Sequence, residues 1–355
     1  MVIAAGGTAG HIMPALALAE VLRARGIEVS FVGVAGRAGS GIPARHGFPE
    51  DHVPLRGLDR RLSLRNVGVV VLAILAVPRM IRVLRHRRAD VVVGGGGYIA
   101  GPAAVAGRLT RRRVVLMEAD SRLGLANRLA APFATRVALA FPVAGRHGRT
   151  YVVTGRPVSR AVRDATRDEG RRRLGIDPAA TCVLVAGGSQ GARSINDAAI
   201  AAFCPSPPFV VVHVAGERNA HDVQARAEAA GCGPRYRVHG FLDDFPQAIA
   251  AADLVISRSG GSVFELAAIG RPSILVPYPH ATADHQTGNA RWLSEAGAAI
   301  VLTDEECTGP RLRELVGALL AEPGRLEVMA AAARGAARPD AAERIADLVE
   351  GVARR

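Results

Sequence analysis

The sequence predicts an α/β protein made of two Rossmann-like, doubly wound domains facing each other across a cleft. Three observations predict it. Short apolar, β-branched runs alternate with amphipathic stretches along the chain, the pattern of parallel sheets covered by helices. VIAAGGTAGHIMPALALAEVL near the start and CVLVAGGSQGARSINDAAIAAF in the middle share one design: strand, Gly-Gly-Ser/Thr-x-Gly, helix. At 355 residues the chain is also long for a single core.

In the first half, strands are expected at Val2–Ala4, Val29–Val32, Val91–Val93, Val114–Leu116 and Val137–Ala140. Helices lie between them, at Pro14–Arg25, Val69–Arg87, Pro102–Leu109 and Leu123–Ala131. YVVTGRPVSR (151–160) reads as the crossing point: a strand ends in Gly155, Arg156 and Pro157, and a strongly basic helix follows. Beyond it come strands at Cys182, Phe209–Val214, Tyr236–His239, Leu254–Ser257 and Ser273–Pro277, and a terminal helix at Ala341–Val352. The expected division is residues 1–157 for an N-terminal domain, 158–340 for a C-terminal domain, and 341–355 for a closing helix.

Composition excludes several classes. The chain is 49% hydrophobic and 22% charged, ordinary for a soluble globular protein. All 45 basic residues are Arg, so Schiff-base and P-loop chemistry that needs lysine is excluded. A net charge of +13 favours an anionic partner: nucleic acid, a membrane surface or a phosphorylated substrate. A nucleic-acid binder is disfavoured, because no zinc-finger spacing or RNP signature occurs and aromatics are only 4%. Cys182, Cys204, Cys232 and Cys307 form no CxxC pair, so they are expected as small buried apolar residues in a reducing compartment. No signal peptide is apparent, and the longest apolar run, VGVVVLAILAV, falls short of the roughly 18 residues a membrane span needs. A cytoplasmic chain is expected.

The glycine turns favour phosphate. Glycine after a strand permits close backbone approach, and the next helix offers unpaired N–H groups and a positive dipole end. GGTAGH is not GxGxxG, and no carboxylate ends the following strand, which disfavours a dinucleotide-dependent redox enzyme. A third loop, SRSGGSVFELAAIGRPSILVP (257–277), places Gly260, Gly261 and Ser262 before a helix with Glu265 in its first turn. Glu265 there either complements the helix dipole or binds the two hydroxyls of a ribose. His280, Asp284, His285, Gln286 and Asn289 crowd the next loop and helix start. Hydrogen bonding to sugar hydroxyls suits this set better than metal ligation, with helix capping by Asp284 as the bland alternative.

GGTAGHIMPALALA, GGGGYIAGPAAVA, LGLANRLAA, GGSQGARSIN, RSGGSVFELAAIGRPSILVPYP and ADHQTGNA occur in the order and spacing of a known family. Through them the chain resembles the MurG family, the family 28 inverting glycosyltransferases that add N-acetylglucosamine to lipid I in peptidoglycan synthesis. The resemblance implies a GT-B fold, UDP-N-acetylglucosamine held mainly by the C-terminal domain, no cofactor and no metal. It implies Ser189 on the diphosphate, Leu242 presenting backbone groups to uracil, Glu265 on the ribose and Gln286 on the sugar hydroxyls. Ser262 and His285 would also bind substrate, and Thr8, Ala9 and Gly10 would close the other side of the cleft. His11 would lie near the reacting sugar. The chain departs from the family at Met117–Asp120, in place of His-Glu-Gln-Asn, where Asp120 replaces a substrate-contacting amide. It departs again at Arg156-Pro157-Val158-Ser159, in place of Asn-Pro-Val-Arg, with Arg160 one place late for the family's substrate contact. A related transferase acting on another lipid or small acceptor is the alternative.

Such a transfer needs a base near the acceptor hydroxyl and stabilisation of the departing diphosphate, which helix N-termini supply. His11 is the first candidate for the base and Glu118 the second; a His that merely bonds the loop backbone is the competing reading. Asp243-Asp244 is read as a helix cap. The stretch 62–88 joins an apolar run to Arg79, Arg82, Arg85, Arg87 and Arg88, the pattern of a peripheral contact with an anionic membrane surface. An ordinary amphipathic helix packed on its own domain is the alternative there.

Overall fold

The computed structural model describes residues 1–6, 9–36, 39–56, 64–188 and 190–354. They form two compact units, Met1–Ser159 with Arg338–Arg355, and Arg160–Ala337.

The first unit carries β1 (Val2–Ala4), α1 (Ala9–Ala24), β2 (Ser30–Gly33), α2 (Ile42–Arg45), β3 (Glu50–His52), α3 (Leu64–His86), β4 (Val91–Gly94), α4 (Ala100–Leu109), β5 (Arg113–Glu118), α5 (Leu125–Ala130), β6 (Arg136–Leu139) and β7 (Tyr151–Val153). Its seven strands run in the order β3-β2-β1-β4-β5-β6-β7, all parallel. Strands such as β4 are buried along their whole length, which is why they read as unbroken Val runs rather than as alternation.

The second unit carries α6 (Arg160–Arg163), α7 (Arg167–Leu174), β8 (Cys182–Ala186), α8 (Arg193–Phe203), β9 (Val210–Val214), α9 (Ala220–Ala229), β10 (Tyr236–His239), α10 (Phe245–Ala251), β11 (Leu254–Ser257), α11 (Ser262–Ile269), β12 (Ser273–Leu275), α12 (His285–Glu295), β13 (Ala299–Val301), α13 (Gly309–Ala321) and α14 (Arg325–Ala336). Its six parallel strands run β10-β9-β8-β11-β12-β13. Both sheets reverse winding direction beside their first strand, between β1 and β4 and between β8 and β11. Ligands of doubly wound sheets bind outside the strand carboxyl ends at that reversal.

The last helix, α15 (Ala341–Ala353), returns to the first unit. Its apolar stripe Ile345, Ala346, Val349 and Val352 joins the core of Ile3, Leu18, Val91 and Val115. Arg25 ties it down through Asp347 and Glu350, each at 2.7 Å.

Three expectations are corrected. Cys204 and Cys232, read as unpaired, are joined by a disulfide with Cα atoms 4.8 Å apart, linking the end of α8 to the α9–β10 loop. Cys182 and Cys307 are the buried free thiols, pushed up by burial to about 12 and about 11. Asp244 stands at the N-cap of α10 but its carboxylate makes no cap; it pairs with Arg173. Helix α1 begins at Ala9 with Pro14 inside it, not at Pro14.

A buried polar relay orders the second unit. His213 on β9 meets the Tyr236 hydroxyl at 2.7 Å and Asn196 Oδ1 at 3.0 Å, while Asn196 Nδ2 donates to Ala215 O at 3.1 Å. Asn196 Oδ1 must therefore accept from His213 Nε2–H, and Nδ1 accepts from the tyrosine: the neutral imidazole satisfies every partner. Burial lowers the His213 pKa to about 4. Between pH 6.5 and 4 the unfolded chain binds a proton at this residue and the native chain does not. Stability is thus independent of this group above pH 6.5 and falls by about 3 kcal/mol on acidification to pH 4. Denaturant midpoints across that range should fall in the wild type, and His213→Gln should flatten the fall.

Candidate active site

In the first unit the chemistry gathers where β1, β4 and β5 end. The β1–α1 turn delivers His11 to the third position of α1. Its ring lies on the glycine run after β4: a methyl group added at Gly96 would stand 2.7 Å from His11 Cδ2. One at Gly97, where φ is +73°, would stand 2.5 Å from Gly6 O and 3.6 Å from His11 Nδ1. Only glycine lets the two strand-end loops and the imidazole pack this closely.

Glu118 ends β5 and is buried. Its Oε2 accepts from Gly124 N at 2.9 Å and Asn127 Nδ2 at 3.0 Å, and its Oε1 from Asp120 N at 3.2 Å. Burial raises its pKa, opposed by the Asn127 and Gly124 hydrogen bonds. With both oxygens engaged, the carboxylate fixes the 119–124 loop that presents half-buried Asp120. A small crevice lined by Pro14, Gly95, Glu118, Arg156 and Pro157 runs beside it.

In the second unit the β8–α8 turn is closed by glycine. Gly191 has φ +73°, and a Cβ there would overlap Ala215 O and stand 2.5 Å from Asn219 Nδ2. Asn219 Nδ2 pins the turn by donating to Gln190 O and Ala215 O at 3.1 and 3.2 Å. Across the winding reversal, Arg258 after β11 donates to Asp304 Oδ1 at 2.5 Å and Ser194 Oγ at 3.0 Å, and Ser194 Oγ donates to Asp304 at 2.6 Å. This triad, unread in the sequence because its members are spread over 110 residues, joins the start of α8 to the β11–α11 turn.

Ser262 opens α11 and donates to Arg258 O at 3.2 Å, and half-buried Glu265 follows in the same first turn. Gln286 Oε1 accepts from Tyr278 N at 2.9 Å, which sets its Nε2 3.9 Å from the Cβ position of Gly260. His285 Nδ1 donates to Thr282 O at 2.8 Å. Ser259 Oγ donates to Gln286 O at 2.8 Å and Asn289 Nδ2 to Ser259 O at 3.2 Å, locking the third glycine loop to α12. Ser262, Glu265, His285 and Gln286 are thus brought together around that loop. Half-buried Leu242 lies apart, on the β10–α10 loop. Arg160 is exposed and pairs with Asp164 at 3.0 Å one turn on. Thr8 and Ser189 lie outside the described residues; Ala9 and Gly10 form the first turn of α1.

Residues 1–139 match the glycosyltransferase family 28 N-terminal domain and residues 182–345 the glycosyltransferase family 28 C-terminal domain. A relative from Halorhodospira halophila is 40% identical, spanning 99% of this chain and 98% of its own. One from Halothermothrix orenii is 36% identical, spanning 100% and 99%. Both are named UDP-N-acetylglucosamine–N-acetylmuramyl-(pentapeptide) pyrophosphoryl-undecaprenol N-acetylglucosamine transferase. The crystal structure of Acinetobacter baumannii MurG superposes with a TM-score of 0.78 over 99% of each chain, at 28% identity. A kitacinnamycin glycosyltransferase, at 18% identity and TM-score 0.75, shares the fold. With both family halves in order and relatives matched from end to end, the chain belongs to the MurG family of family 28 glycosyltransferases, of the GT-B fold class.

Proposed function

We propose that this chain transfers N-acetylglucosamine from UDP-N-acetylglucosamine to undecaprenyl-pyrophosphoryl-N-acetylmuramyl-pentapeptide, lipid I, forming lipid II with inversion at the anomeric carbon. One observation carries the reading: relatives bearing that activity in their names match the whole chain at 36% and 40% identity. The acceptor hydroxyl oxygen forms the new bond to the anomeric carbon as the bond to the β-phosphate oxygen breaks. His11 takes the hydroxyl proton, and the departing diphosphate keeps the electron pair. The N–H groups at the start of α8 stabilise the charge developing there. Glu118 positions the 119–124 loop rather than acting as the base, because its oxygens already serve three donors. Ser189, Leu242, Ser262, Glu265, His285 and Gln286 contact the donor; Thr8, Ala9, Gly10, Asp120 and Arg160 complete the substrate contacts. UDP release from UDP-N-acetylglucosamine, measured with and without a lipid I analogue, tests the whole. Release that depends on the analogue is expected, and equal release in its absence would sink the reading.

Gly191→Ala should weaken UDP binding at least tenfold, because at φ +73° the added methyl would collide with Ala215 O and with the Asn219 amide that pins the turn. Calorimetric titration with UDP reads this directly.

We place the enzyme at the cytoplasmic face of the membrane, peripherally bound. No helix among the described residues is long and apolar enough to cross a membrane. Helix α3 buries Ala76, Met80 and Leu84 in its own core, yet leaves Val71, Ile74 and Leu75 exposed. Exposed Arg79, Arg82 and Arg85 follow on the same helix, whereas Arg87 is engaged by Asp51 at 2.8 Å. Apolar insertion and arginine attraction to anionic headgroups then act together, each basic residue adding about 1 kcal/mol. Co-sedimentation should be stronger with vesicles containing phosphatidylglycerol than with phosphatidylcholine alone, and Ile74→Ser with Leu75→Ser should reduce it.

A further inference from the structure

Pro14 sits in the sixth position of α1 and has no N–H. In a regular helix that N–H would bond the carbonyl four residues earlier, which is Gly10 O. Arg156 Nη2 donates to Gly10 O at 2.7 Å, across 146 residues of sequence. The Arg156 side chain is 8% exposed and lines the same crevice as Pro14 and Glu118. One guanidinium therefore supplies the hydrogen bond that the proline withholds, at the carbonyl next to His11.

We propose that Arg156 is a positioning residue for the transfer reaction: it closes the first turn of α1 and so holds the His11 imidazole against Gly96 and Gly97. The inference rests on the proposed role of His11, but the helix-turn geometry stands apart from it. Without the guanidinium, Gly10 O loses this donor while the residue four places on has no N–H to replace it, and a carbonyl in that state turns toward water. The turn then loosens at the residue preceding the imidazole. Small displacements of a catalytic group cost large factors in rate. Substrate affinity contributed by the second unit is untouched.

The pairing makes a specific genetic prediction. Pro14→Ala restores a backbone N–H to the helix and should make the guanidinium dispensable. Arg156→Ala alone should lower kcat at least tenfold with Kd for UDP within twofold of wild type. The Pro14→Ala, Arg156→Ala double variant should recover most of that loss. Hydrogen exchange of the peptide covering the start of α1 gives a readout independent of activity: faster in Arg156→Ala, slowed again in the double variant. A double variant as impaired, and as fast to exchange, as Arg156→Ala would overturn the proposal. Should Arg156→Ala fold poorly, Arg156→Met, which keeps much of the side chain's volume and removes every donor, replaces it in the same cycle with the same expected rescue. Restored exchange protection without restored turnover would overturn the coupling to His11. Absence of transfer in the wild type would instead count against the glycosyl-transfer reading.

Discussion

His11→Ala is expected to lower kcat for transfer to a lipid I analogue at least a hundredfold while Kd for UDP stays within about twofold. The split follows from where the parts lie. His11 is fixed in the first unit, in the first turn of α1 and against the β4 glycine run. The Gly191 turn proposed to hold the diphosphate and the Ser262–Gln286 constellation belong to the second unit. Removing a proton acceptor forfeits a term worth about 10²–10⁴ in rate and leaves nucleotide contacts as they were. His11→Gln separates basicity from hydrogen bonding, since an amide can orient an acceptor but not take its proton; it should be nearly as slow. Turnover within threefold of wild type in either would remove His11 from the chemistry and return attention to Glu118.

Where the local pattern was strong, the fold was legible. Buried parallel strands are unbroken apolar runs, and Tyr236–His239 and Leu254–Ser257 fall where the sequence puts them. Edge strands were not: β3 is Glu-Asp-His, polar because an edge needs no apolar run, and β13 is three residues long. Pro14 was read as a helix start because proline costs a hydrogen bond inside a helix; the compensating donor, Arg156, lies too far along the chain for any local rule to find. The Cys204–Cys232 bond fails the same test, spanning 28 residues with no motif. At the site, the glycine turns and the residues beside them announced themselves through spacing. What sequence did not disclose is how their side chains are held: three donors on Glu118, and the Ser194–Arg258–Asp304 triad behind the β11 turn.

Arg171→Met should lower the melting transition of the second unit by roughly 10 °C, the largest stability effect expected of a single substitution here. The sequence around it, RDEGRRRL, reads only as a basic helix, yet this one arginine is 1% exposed. Its Nε donates to Ala251 O at 3.1 Å, and Nη1 to Asp177 O, Pro178 O and Ala180 O at 2.8–2.9 Å. Nη2 meets Asp253 Oδ2 at 2.9 Å, and Asp253 also accepts from Arg167 at 2.7 Å and from Cys182 N at 2.8 Å. One planar fork thus fastens α7 and the loop before β8 to the carboxylate that leads into β11, the strand next to β8 at the winding reversal. Methionine keeps much of the volume and removes every donor, stranding four carbonyls and taking one of the three partners from the Asp253 carboxylate. Breaking a buried pair of this kind costs about 3–5 kcal/mol, and each kcal/mol moves the transition of a unit this size by about 2–4 °C. Arg171→Lys should recover only part, because an ammonium restores the charge but cannot reach along five directions in one plane. Calorimetry of the full chain, with UDP added to mark which transition belongs to the second unit, measures the shift. A displacement under about 2 °C would mean that the hub is dispensable and that packing of α7 against α10 holds this end of the sheet by itself.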